Sequence, residues 1–261
     1  MRDPKADPSA RFVGSRASSV SEKRQPTAEL LEGNLLLRHL SGADADAVLD
    51  SGEVMRLELR QKIYDANAEI DLVYFPLTCV LSVVAEMQDG GMIEVGTVGY
   101  EGVSALPLVL GSTTSENQSY CQVPGDAIVI SSDMFARLTK DNPKFRPVLD
   151  RYLQAYINLL GQLAACNRLH SVYERCARWI LMTQDRVKSD SVHLTQEFLG
   201  MMLGSTRSGV TIAASTLRTA GLIQYAQGQI IILDRSGLEL ASCECYALAQ
   251  QQFGVLQKLE L

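Results

Sequence analysis

Residues 194–223 read LTQEFLGMMLGSTRSGVTIAASTLRTAGLI, and the pattern is that of two short helices around a tight turn. Thr195 can cap the first helix, its hydroxyl accepting an amide proton that the first turn leaves unpaired. Phe198, Leu199, Met202 and Leu203 form an apolar stripe. Gly204 can take the left-handed conformation that ends a helix, and Ser205 or Thr206 can cap the next. At 100° per residue the second helix divides into an apolar back (Val210, Ala213, Leu217) and a polar front (Arg207, Ser208, Thr211, Ser215, Arg218). The pattern predicts a helix-turn-helix, whose second helix must be slim enough for a major groove about 12 Å wide. Arg207 near its start can offer a guanine two parallel hydrogen bonds, while Ser208 and Thr211 can reach a base or a phosphate oxygen. The plainer alternative is a helical hairpin with an ordinary solvated face.

Two β-rich runs, 222–225 and 229–233, follow at once around Ala226-Gln227-Gly228, which is a hairpin signal. A helix-turn-helix followed by a hairpin is a winged helix. With these residues the chain resembles the Crp/Fnr family of bacterial transcription regulators. The resemblance rests on Leu194-Thr195-Gln196, Gly200, Leu203-Gly204-Ser205-Thr206-Arg207, Val210, Leu217 and Gly221-Leu222-Ile223. It implies that Arg207 reads a guanine. It also implies a DNA-contacting set of Thr195, Ser205, Thr206, Arg207, Ser208, Thr211, Ser215 and Arg218. Two positions depart from the family: Ser208 stands where an acidic residue is usual, and Ile212 where a second basic one is. The operator is therefore expected to differ from the best-known family consensus.

A chain of 261 residues with 46% apolar content can bury one or two cores. No apolar run approaches the length of a membrane span, and the N-terminus lacks the apolar segment of a secretory signal. Six cysteines without paired spacing suggest a reducing, cytoplasmic setting. The formal charge of −6 is unusual for a DNA binder, but it is unevenly spread. Between Lys62 and Arg137 there is no Lys, Arg or His, whereas residues 168–240 lean slightly basic. An acidic sensing module attached to a mildly basic reader fits this asymmetry. DNA affinity should then rely on dimerisation and fall with salt.

The expected architecture is α+β, with an N-terminal β-roll or jelly-roll sensor domain, a long dimerisation helix and a C-terminal winged helix-turn-helix. Residues 1–28, rich in Ser, Pro, Ala and mixed charge, read as a disordered tail. Residues 29–142 form the sensor, with helical pieces at 28–39 and 43–51. Strand-like runs follow at 54–59, 72–75, 80–87, 92–98, 119–123 and 127–130, broken by Pro and Gly turns. The resemblance implies a roll of the cyclic-nucleotide-binding type. A helix starts at 133–141, Pro143 and Pro147 interrupt it, and a long helix runs from Val148 to about His170 within a 143–172 linker. Leu149, Leu153, Tyr156, Leu160, Leu163, Asn167 and His170 alternate four and three apart, the spacing of a two-stranded coiled coil. A second seam passes through Cys166, and the resemblance makes this helix the homodimer interface. A helix at 174–188 opens the reading domain at 173–240. In the extension at 241–261, a helix capped by Asp234 continues with Leu238, Ala241, Cys245, Leu248, Ala249 and Gln252 near one face.

For the sensor, the resemblance points to Gly99, Glu101, Gly102 and Tyr120 as the effector pocket. Family members that bind cyclic AMP hold its phosphate with an arginine, but residues 112–123, STTSENQSYCQV, contain no cation. Tight cyclic AMP binding is not expected, since a buried phosphate needs charge-assisted donors. The N-terminal cysteines of an iron–sulfur sensor and the interior histidines of a metal-dependent enzyme are both missing, so no cofactor, metal or catalytic residue is expected. The cysteines are expected simply to pack. The alternatives are a disulfide joining Cys166 to its own copy across a two-fold axis, or, at Cys243-x-Cys245, soft-metal binding or thiol exchange with Cys166. The function expected is a sequence-specific transcription regulator. It would bind an inverted repeat of double-stranded DNA as a homodimer, with RNA polymerase as a further candidate partner. The second reading is a ligand- or redox-sensing interaction module whose helix-turn-helix does not bind DNA.

Overall fold

The alternating runs between residues 53 and 131 become seven strands in the computed structural model, which describes residues 24–187, 189–226 and 228–257. The chain begins with α1 (Ala28–Glu32), a 3-10 turn at Leu37–His39 and α2 (Ala43–Ser51). Strands β1 (Glu53–Leu57), β2 (Lys62–Tyr64), β3 (Leu72–Pro76), β4 (Val80–Glu86) and β5 (Met92–Val98) follow. The short α3 (Leu106–Val109) then leads to β6 (Gln118–Val123) and β7 (Gly125–Ser131). The strands form two antiparallel sheets, ordered β1-β7-β3 and β2-β6-β4-β5. Leu57, Val73, Phe75, Leu81, Val98, Ile128 and Ile130 are buried in the core of this roll, as alternation along half-covered strands requires. The β2 strand went unseen in the sequence because three residues are too few to show a period.

The expected tail at 1–28 falls mostly on residues 1–23, which lie outside the described residues. Its last part is held against the roll. The Val54 N–H donates to the Arg24 carbonyl at 2.7 Å, and the Arg24 guanidinium lies 3.1 Å from Asp126.

Helix α4 (Ser132–Asp141) leads into the 25-residue α5 (Phe145–Leu169). The long helix therefore starts three residues before Val148 and runs through Pro147. A proline in the first turn sacrifices only an N–H that has no helical partner anyway. The side chain of Asn142 accepts the Lys144 and Phe145 amide protons at 2.9 and 2.8 Å.

After a two-residue break at His170 and Ser171, α6 (Val172–Val187) and β8 (Ser191–His193) open the second core. There follow α7 (Gln196–Met202), α8 (Arg207–Thr219), β9 (Ile223–Ala226), β10 (Gln229–Ile232), α9 (Arg235–Ala241) and α10 (Cys245–Gln257). The wing gains a third strand, in the order β8-β10-β9. The single helix expected after Asp234 is two helices. Asp234 does cap α9, but Ser242 is extended (φ −82°, ψ 162°) and turns the chain before α10. That turn lays α10 along α5, where Asn158 Nδ2 donates to Gln252 Oε1 at 3.0 Å. No described helix is long and apolar enough to cross a membrane.

Candidate nucleic-acid interface

Local chemistry sets the two helices of the reader. The Thr195 hydroxyl accepts the Phe198 amide proton at 3.2 Å, and of the two candidate caps it is Thr206 that closes the second helix, accepting from Gly209 at 3.2 Å. Gly204 sits at φ +55°, a conformation that costs a side-chain-bearing residue energy. Behind the turn, Phe198, Leu199, Met202, Leu203, Val210, Ala213 and Leu217 pack with Trp179 and Ile180 of α6 in one apolar cluster. This core fixes the rotation of α8 and so decides which side faces outward.

The outward side is the polar one. Thr195, Thr206, Arg207, Ser208 and Arg218 are exposed, and Ser205, Thr211 and Ser215 are half-buried. Arg207 is the first residue of α8, and Arg218 lies in its last turn. The Thr211 hydroxyl donates to the Arg207 carbonyl at 2.8 Å, and that of Thr216 to the Ile212 carbonyl at 2.9 Å. Ile212 is 68% exposed. With Thr211, Ser215, Thr216, Thr219 and Ala220 it lines a shallow open groove along the helix. A large apolar side chain on this face suits the methyl group of a thymine. The sequence marked Ile212 only as a missing cation; its exposure is what makes it a candidate contact, together with Thr216.

The opposite side of the reader is bolted to the roll. Glu101, only 3% exposed, pairs with Arg186 of α6 at 2.8 Å. It also accepts the Gly99 amide proton at 3.1 Å. A Cβ on Gly99 would meet Arg186, and one on Gly102 would meet the Tyr152 ring of α5. Of the four expected effector-pocket residues, Gly99 and Glu101 therefore lie against α6 and Gly102 against α5. The fourth, Tyr120, is buried in the same cluster as the reader's core and donates to Gln118 Oε1 at 2.6 Å. Beside Glu101, a cleft of about 340 Å³ opens between Tyr100, Met182, Arg186 and Phe253.

Glu94 of β5 makes the second bolt. It accepts from Trp179 Nε1 at 3.1 Å, Ser82 Oγ at 2.7 Å and Gln122 Nε2 at 3.1 Å. Burial pushes its carboxyl up to about 7, against the pull of Ser82, Trp179, Arg178 and Arg186. Arg60 stacks over Phe198 of α7 at 5.7 Å. Part of the charge asymmetry read in the sequence is thus spent inside the protein, with roll carboxylates meeting reader arginines.

The expected dimer-seam residues divide. Leu149, Tyr156 and Cys166 are buried within the chain; Leu153, Leu160, Leu163 and His170 are half-buried, and Asn167 is exposed. Tyr156 and Leu160 press on Gly96 of the roll. The stripe of α5 left open runs through Gln154, Ile157, Gly161, Ala164 and Arg168, again three and four apart, with Ile157 52% exposed. Cys166 is turned away from that stripe and faces Cys243, its sulfur 3.5 Å from the other. With His170 and Cys245, these are the described residues whose side chains are placed to hold a metal ion.

Residues 174–241 match the family model of the Crp-like helix-turn-helix domain. A comparison with curated proteins finds no match. Among solved structures, a protein assigned as a regulator of the Crp/Fnr family from Eubacterium rectale superposes with a TM-score of 0.61 at 18% identity. The match covers 80% of this chain and 98% of that one. A CRP-family transcriptional regulator from Thermus thermophilus gives 0.61 at 20% identity, covering 72% and 95%. The c-di-GMP responsive global regulator CLP of Xanthomonas campestris gives 0.59 at 15%, covering 74% and 99%. Residues 174–241 are a Crp-like helix-turn-helix domain, and the chain carries the fold of the Crp/Fnr regulators, a cyclic-nucleotide-binding-like roll joined by a long helix to a winged reader.

Proposed function

We propose that the chain is a DNA-binding transcription regulator of the Crp/Fnr type that acts as a homodimer on an inverted repeat. The observation that carries this reading is the outward face of α8, which holds Arg207, Ser208 and Arg218 exposed around a core that fixes its rotation. A guanidinium at the first turn is positioned to read a guanine, and the hydroxyls beside it to read or anchor. In a symmetric pair, the two helices would enter successive major grooves about 34 Å apart. The pairing is assigned to the open stripe of α5 through Ile157, Gly161 and Ala164. An added Cβ at Gly161 would meet nothing within 4 Å, which leaves room for a second helix to approach closely.

Cyclic AMP is not the effector in this reading. Glu101 is already satisfied by Arg186, and residues 112–123 bring no cation to a phosphate. A gel shift with Arg207→Ala against operator and random duplex is the test. Loss of the operator preference, about 1–3 kcal/mol per lost guanine contact, with unchanged thermal stability supports the reading. An unmodified protein that never prefers a sequence supports an interaction module instead.

A further inference from the structure

The break between α9 and α10 brings together residues that are far apart in the chain. Cys166 near the end of α5 faces Cys243, with their sulfurs 3.5 Å apart. Cys245 Sγ lies 3.5 Å from Nδ1 of His170, the residue that follows the last turn of α5. All four donor atoms lie within 4.8 Å of one another. A tetrahedral zinc ion, with Zn–S about 2.3 Å and Zn–N about 2.0–2.1 Å, holds its ligand atoms about 3.5 to 3.8 Å apart. The Cys166–Cys243 and Cys245–His170 spacings already meet that requirement, and the widest pair, within 4.8 Å, reaches it by a closure of about 1 Å.

The surroundings fit a metal better than they fit packed thiols. The other three cysteines lie inside the two hydrophobic cores, Cys79 and Cys121 in that of the roll and Cys176 in that of the reading domain. The cluster instead stands apart from both hydrophobic cores, with Gln162, His170 and Arg178 beside it. Nε2 of His170 lies 3.2 Å from Glu244, which would fix the tautomer that leaves Nδ1 free to ligate. This is the carboxylate–histidine–metal relay common at zinc sites. Gln162 Nε2 donates to Cys245 Sγ at 3.1 Å. Arg178, itself 5% exposed, is close enough to act electrostatically on both Cys166 and Cys243, although their contact with each other acts more strongly, lowering the Cys166 thiol and raising that of Cys243. Three thiolates and one neutral imidazole around a divalent ion leave one negative charge, which Arg178 offsets.

We propose that Cys166, His170, Cys243 and Cys245 form a closed Cys3His site for Zn2+. The site clasps the end of α5 to the link before α10. Loading converts three thiols to thiolates and releases three protons, with no change of oxidation state. Because α6 begins at Val172, two residues beyond His170, the clasp fixes how the reading domain hangs from the long helix. Such a site is independent of DNA recognition, and zinc would occupy it without DNA.

The test is metal analysis of the full chain, purified with reductant and without chelator from cells grown in zinc-supplemented medium. One zinc per chain is expected, and the stripped protein titrated with Co2+ should show thiolate-to-cobalt charge transfer with the visible bands of tetrahedral cobalt. Zinc affinity should fall with falling pH, since protons compete for the thiolates. Cys243→Ser with Cys245→Ser should abolish the cobalt spectrum. Glu244→Gln changes an exposed side chain, so folding is spared; it should weaken zinc binding about 10- to 100-fold and keep the cobalt spectrum. Zinc no higher than in the double-serine variant, a cobalt spectrum without thiolate charge transfer, an unchanged affinity in Glu244→Gln, or a Cys166–Cys243 disulfide in the reduced preparation would each overturn the assignment.

Discussion

The reading domain has two polar faces with opposite fates. On its inner face, Arg186 and Trp179 of α6 are matched to Glu101 and Glu94 of the roll at 2.8 and 3.1 Å. On its outer face, Arg207, Ser208 and Arg218 of α8 are turned to solvent. Charges buried in pairs are part of the architecture, because leaving either partner alone in a dry interior is costly. Donors held outward on a rigid helix are available to something that is not this chain. Breaking the inner face should therefore change stability, and breaking the outer face should change recognition.

The largest effect belongs to the buried pair. Glu101→Gln removes the carboxylate charge and leaves Arg186 buried without it, so chemical denaturation should show a loss of about 3–5 kcal/mol. A loss below about 1 kcal/mol would mean that the two domains are not joined there. The same variant sharpens the contrast with Arg207→Ala, whose denaturation midpoint should not move.

A smaller effect comes from Glu94. Its carboxyl is raised from 4.5 to about 7 in the folded protein, first by burial. Between those values the folded state binds more protons than the unfolded state, so this group makes stability fall as pH rises from about 4.5 through about 7. Glu94→Gln mimics the protonated form and should flatten that slope. Denaturation curves at pH 5 and pH 8 measure it, and a slope identical in both proteins would count against a shifted Glu94.

The smallest effect is expected at Ile212. Its replacement by alanine removes an exposed apolar surface and should leave folding unchanged within about 0.5 kcal/mol. Preference at one base pair should weaken if a thymine methyl lies against it. A binding preference unchanged at every position of the operator would remove Ile212 from the reading face.

What the sequence made legible follows the same division. The α7–α8 pair was visible because its caps, Thr195 and Thr206, its turn glycine Gly204 and its apolar stripe all lie within one short run. The roll strands were visible wherever they ran long enough to alternate, but β2 and β8, three residues each, were not. The inner face was invisible for a different reason. Glu94 and Trp179, like Glu101 and Arg186, are 85 residues apart, and nothing local distinguishes these carboxylates from the many others of an acidic stretch. The spacing on α5 was a true coiled-coil spacing, but such a helix carries more than one seam. Burial by the roll and by α10 leaves the stripe through Ile157 and Gly161 open, and assigns Leu149 and Tyr156 to the chain's own core. The Cys166 cluster required the extended residue Ser242, which no pattern of apolar spacing announced.

The most direct measurement of the central claim is selection of binding sites from a pool of randomised duplexes by the full-length protein. The account predicts enrichment of an inverted repeat whose half-sites lie about one helical turn apart, with a guanine in each half whose enrichment disappears in Arg207→Ala. Enrichment of no sequence, or of a single unrepeated site indifferent to Arg207, would contradict it.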